Sequence, residues 1–117
     1  MIQLKSEENI IYSTAEEKLT DEDYEKIIPY LEEKIRKFGE IRWYFEMRDF
    51  EGWTLSAMWK DAKFDFEKNE NMKKIAMVGA DKWQKGLTQL MKPFAEAEVK
   101  FFKLSETEAA KKWIASA

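Results

Sequence analysis

Apolar and polar positions along this chain follow two periods in turn. Ile2–Lys5 and Ile10–Thr14 have the composition of short strands, and Glu7-Glu8-Asn9 between them predicts a hairpin. Thr20 followed by Asp21, Glu22 and Asp23 predicts a helix start, because a hydroxyl cap and early carboxylates satisfy free N–H groups and oppose the dipole. Tyr24, Ile27, Ile28, Leu31, Ile35 and Phe38 then recur at helical spacing. Lys34, Arg36 and Lys37 occupy the last turn, Gly39 suits a left-handed stop, and Pro29 inside predicts a bend. From Ile41 the period becomes two. Ile41, Trp43, Phe45 and Met47 share one face, with Arg42, Tyr44 and Glu46 on a partly wet one.

The run Asp49-Phe50-Glu51-Gly52 reads as a turn into a second helix, about Thr54 to Lys68, with Leu55, Met58, Trp59, Ala62 and Phe66 inward. Lys74 to Val78 is nearly all apolar and suits a strand covered on both faces. Asp81 caps a third predicted helix bearing Trp83, Leu87, Leu90 and Met91, which stops near Pro93. A strand over Ala97–Phe102 follows, and Ser105-Glu106-Thr107-Glu108 opens a last helix with Ala110, Trp113 and Ile114. The order β-β-α-β-α-β-α-β-α predicts an α/β fold, a mixed sheet with parallel central strands flanked by helices. With 117 residues and no linker or repeat, one domain over 1–117 is expected.

Composition narrows the chemistry mainly through two absences. There is no His and no Cys, which excludes disulfides, thiol catalysis, Cys/His zinc sites, Ser-His-Asp triads and histidine switches. The net charge is −3, with the excess of carboxylates in residues 1–40 and a small cationic excess after residue 80. No strong basic cluster exists, so nucleic acid is not an expected partner. The opening residues lack a long apolar stretch, and a cytoplasmic protein is expected. The four glycines are too scattered for a P-loop or a dinucleotide fingerprint, and no cofactor is expected.

Two amphipathic segments carry candidate binding chemistry. Trp53, Ala57 and Phe64 return to one azimuth of the predicted second helix, away from its core stripe, with Lys60 beside them. Such a stripe suits a lipid surface, an apolar ligand or a second subunit, and it equally suits packing on neighbouring helices. Trp83 with Lys82, Lys85 and Lys92 makes the third helix a basic amphipathic segment, the pattern of a membrane-interface helix and also of a surface helix with snorkelling lysines. Asp49 and Glu51, near Arg48 and Tyr44, are the carboxylates to consider for acid–base or metal chemistry; a solvated loop is the plainer reading.

Leu19-Thr20 with Asp23-Tyr24, Asp49-Phe50-Glu51-Gly52-Trp53-Thr54, Val78-Gly79 before Lys82-Trp83, and Pro93-Phe94 before Ala97–Phe102 occur in an order that resembles the SpoIIAA-like (STAS/SEC14-related) family. The resemblance covers nearly the whole chain. It implies a sheet of four or five strands flanked by helices, as in anti-sigma-factor antagonists and the CRAL-TRIO domain. Antagonists of that branch carry a phosphorylatable Ser in Asp-Ser-Ser-Gly; here the matching run holds Phe50 and Glu51 instead, so that switch is not expected. The other branch implies an apolar small molecule or loose membrane attachment.

These readings converge on a non-enzymatic binding module. Its expected partner is an apolar, lipid-like molecule or a membrane surface, met through the loop of Asp49, Phe50, Glu51, Gly52 and Trp53 and the faces carrying Ala57, Lys60, Phe64, Trp83 and Lys85. The alternative is a regulatory module that meets a protein partner through the same loop or forms a homodimer.

Overall fold

The computed structural model describes residues 2–53, 71–83 and 97–116, apart from the side chains of Tyr24 and Trp53. The described elements are β1 (Ile2–Glu7), β2 (Ile10–Leu19), α1 (Asp21–Phe38), β3 (Ile41–Trp53), β4 (Met72–Val78), β5 (Glu98–Phe102) and α2 (Thr107–Ala115), with 3-10 turns at Asp81–Trp83 and Leu104–Glu106. The predicted helix over 54–68 lies outside the described residues, as does the predicted third helix beyond Trp83.

The strands form a five-stranded sheet in chain order, β1-β2-β3-β4-β5. β1 runs antiparallel to β2. The β2–β3, β3–β4 and β4–β5 pairs are all parallel, so the predicted mixed sheet with a parallel centre is the one observed. Side chains alternate across it, and the two faces have separate cores. On one face Ile11, Ala15, Ile41, Trp43, Phe45, Met47, Ile75 and Met77 pack with Ile27 and Leu31 of α1. On the other, Tyr44, Ala76, Val78 and Phe102 pack with Ala110 and Ile114 of α2.

α1 begins and ends where its capping residues predict. The Thr20 N–H donates to the Asp23 carboxylate at 2.8 Å, and Gly39, at φ 83°, donates its N–H to the Ile35 carbonyl at 2.8 Å. Phe38 departs from the expected stripe: it is exposed, with the Lys37 ammonium over its ring. α2 begins at Thr107, and its entry is fixed one turn early by the Glu106 carboxylate accepting the Lys103 N–H at 2.8 Å.

The largest correction concerns β3. The expected turn at Asp49–Gly52 is strand, continuing to Trp53 and paired with a β2 that extends to Leu19. Arg48 faces Glu16, Phe50 faces Glu17 and Gly52 faces Lys18, so Asp49 and Glu51 are extra residues bulged out of the ladder. The bulge at Asp49 changes the parity of the strand: Phe50 takes the next core position after Met47. Asp49 (φ 47°) and Gly52 (φ 120°) supply the positive φ angles that this kinked path needs.

Candidate groove on the open face of the sheet

Among the described elements, α2 packs chiefly on β4, with β3 and β5 beside it, and an edge of the same face over β1, β2 and β3 is open. An open groove of about 480 Å³ occupies that space, within the size range of small-molecule sites. Register explains its lining. Lys5 pairs with Tyr12 and Tyr12 with Tyr44; Gln3 pairs with Thr14 and Thr14 with Glu46. Each row therefore lays one residue from each of three strands side by side on the face away from α1, and Lys111 of α2 closes one wall.

At the floor, Glu46 is buried, at 5% exposure. Tyr44 Oη donates to Glu46 Oε1 at 2.5 Å, and Arg48 Nε donates to Glu46 Oε2. Spacing of two along one strand puts all three side chains on the same face, which is why they meet. Burial pushes the Glu46 carboxyl up, but the Tyr44 hydroxyl, the Arg48 guanidinium and the Lys111 charge outweigh it and hold the group below its ordinary value. Burial and the bond to Glu46 push the Tyr44 phenol far above its ordinary range, so it stays a neutral donor. Tyr12 is raised too, by burial and then by the charge of Glu7. The Tyr12 and Tyr44 rings are 5.6 Å apart and tilted by 49°, while Lys111 Nζ stands 5.9 Å from the Tyr44 ring.

The residues singled out by sequence are placed differently. Phe50 is buried and meets the Trp83 ring edge-on at 5.2 Å between centroids. Gly52 is buried as well, where a Cβ would stand 3.6 Å from the Trp83 ring. Phe50, Gly52 and Trp83 thus pack on one another at the end of β3. Asp49 and Glu51 are exposed on the bulged strand, and neither belongs to the groove. Ala57, Lys60, Phe64 and Lys85 lie outside the described residues, as does the side chain of Trp53.

In the groove the carboxylate that gathers partners is Glu46, which the alternation of β3 puts on the partly wet face. Its signal was the polar trio Tyr44, Glu46 and Arg48 at alternate positions beside a core face. Among the described residues no group of three or more Asp or Glu side chains is arranged to hold a metal ion. Among them, too, no helix is long and apolar enough to cross a membrane.

Comparison with known proteins places the fold. No curated protein matches the chain. Among solved structures, an uncharacterized protein of the DUF3478 family from Shewanella loihica PV-4, described as having a SpoIIAA-like fold, superimposes with a TM-score of 0.70. The two are 26% identical, and the match covers 98% of this chain and 93% of the other. The SpoIIAA-like family model matches residues 10–115, from the start of β2 to the end of α2, and the chain belongs to the SpoIIAA-like family.

Proposed function

We propose that this protein is a non-catalytic binding module that holds a small molecule in the groove over β1, β2 and β3. The observation that carries this reading is the buried Glu46, fixed at both oxygens by Tyr44 and Arg48 in the floor of an open groove. Holding all three side chains in one arrangement gives a ligand a floor that needs no reorganisation. A carboxylate engaged on both oxygens is poorly suited to abstract a proton, which favours binding over catalysis.

The expected lipid or membrane contact loses support at one end. Phe50 and Gly52 are buried, and Trp83 is packed on Phe50, so this aromatic group is spent on the core rather than offered to a bilayer. A polar groove lined by Gln3, Thr14 and Glu46 is likewise a poor host for a purely apolar molecule.

Protein-detected NMR with a fragment mixture tests this reading. Hits are expected to move the amide signals of Tyr12, Thr14, Tyr44 and Arg48 together. Hits confined to other surfaces would overturn it. Tryptophan emission is expected to stay unshifted on adding anionic vesicles; a blue shift would return the membrane reading to first place.

A further inference from the structure

The charge of the groove is opposite to that of the chain. The protein carries −3 overall, yet the groove is lined by three cations, Lys5, Arg48 and Lys111, against two carboxylates, Glu7 and Glu46. The two carboxylates are not equivalent. Glu46 is buried and held by Tyr44 and Arg48, whereas Glu7 is exposed at the end of β1. The three cations reach the groove from three elements, β1, β3 and α2, and all are solvent-accessible; the Arg48 side chain is 59% exposed.

Arg48 is the anchor of this set. Its Nε is committed to Glu46, which holds that edge of the guanidinium toward the floor, and the terminal nitrogens of a guanidinium are further donors with the fork geometry that oxyanions match. Lys111 is set beside the Tyr44 ring, across the floor from Lys5 in the row Lys5–Tyr12–Tyr44. Between the cations lie two tyrosine rings, an apolar floor on which a flat body can rest, and Gln3 and Thr14 can bond its polar edge.

Resting on the groove reading, we infer that the ligand is a small molecule with a flat body and one oxyanion, a carboxylate or a phosphate monoester. The oxyanion docks on Arg48 and Lys111, and the body lies over Tyr12 and Tyr44. Lys5 guides entry. Glu46 acts as a positioning residue that aims Arg48.

Three probes of similar shape test this by NMR titration: benzoate, phenyl phosphate and neutral benzamide. At least one of the two anions is expected to shift the amides of Lys5, Tyr12, Arg48 and Lys111, at least tenfold more tightly than benzamide, with affinity falling as salt rises. Preference for benzoate or for phenyl phosphate assigns the carboxylate or the phosphate source. R48Q is expected to weaken the preferred anion about tenfold, as for loss of one charge-assisted bond, and K111Q a few-fold. K82Q, which alters a cation outside the groove, is expected to change nothing. Should R48Q disturb the fold, R48K keeps the charge on Glu46 and is expected to bind between wild type and no binding. If benzamide binds the groove as tightly as either anion, the oxyanion inference fails and the groove reading stands. If none of the three moves a groove amide while fragments of other chemistry do, the inference fails alone; if no small molecule does, both fail.

Discussion

Two buried polar contacts show how single residues order this sheet. The Trp43 indole N–H donates to Ser13 Oγ at 2.9 Å, and that hydroxyl donates in turn to the Tyr44 carbonyl at 3.3 Å. A small hydroxyl between two strands thus gives a buried indole N–H an acceptor. On the opposite face, Glu46 does the corresponding work for Tyr44 and Arg48. Its carboxyl titrates below the ordinary glutamate value, so the stability it contributes is fully present above that value and is lost as pH falls through the lowered one. E46Q is expected to be about 1–3 kcal/mol less stable than wild type near pH 7, the cost of disturbing the buried charge-assisted bond that Tyr44 donates to Glu46. The gap is expected to narrow as pH falls below about 4.3, where unfolded glutamate takes up its proton. Urea titrations of both proteins from pH 7 to pH 3 check this; a gap that stays constant would contradict the ionised assignment.

At the scale of elements, helix ends were legible because their chemistry is local. Thr20, Asp23 and Gly39 each act within a few residues of their own position, and α1 starts and stops at them. The end of β3 was not legible, for a physical reason. Asp and Gly are the residues that turns favour because they tolerate positive φ, and a bulged strand needs the same tolerance. Asp49-Phe50-Glu51-Gly52 therefore reads as a turn until pairing with β2 shows that Asp49 and Glu51 are insertions in a continuing strand. The groove was hidden for a different reason. It gathers residues from Gln3 to Lys111, and within each element they look like an ordinary wet face. The bulge also makes a prediction. At φ 120°, Gly52 holds a backbone conformation that residues with a Cβ rarely adopt, while the space toward Trp83 is only ordinary contact. G52A is expected to cost about 1–3 kcal/mol through the backbone alone. A thermal melt within a degree of wild type would show that this stretch relaxes freely.

For the whole molecule, the two faces of the sheet depend on helices from opposite ends of the chain. α2 covers its face through Ala110 and Ile114, and its last turn is tied down from below: Arg42 donates to the Ile114 carbonyl at 3.0 Å and Lys74 to the Ser116 carbonyl at 3.1 Å. Removing a buried side chain such as Ile114 alone costs about 2–5 kcal/mol, a large part of the stability of a domain this size. A chain ended at Lys103 is accordingly expected to lose its cooperative melt and to self-associate, as seen by circular dichroism and sedimentation; a sharp transition at the wild-type midpoint would refute this. Strand order adds a consequence in time. Because the strands are laid down side by side in the order in which they are made, each can dock on its predecessor as it leaves the ribosome, with no gap held open for a later strand. The floor of the groove is complete once β3 has emerged, but Lys111 follows only after β4 and β5. A nascent chain therefore shapes the cradle early and acquires its full charge only once α2 has followed β5, so the proposed ligand capture waits for that helix.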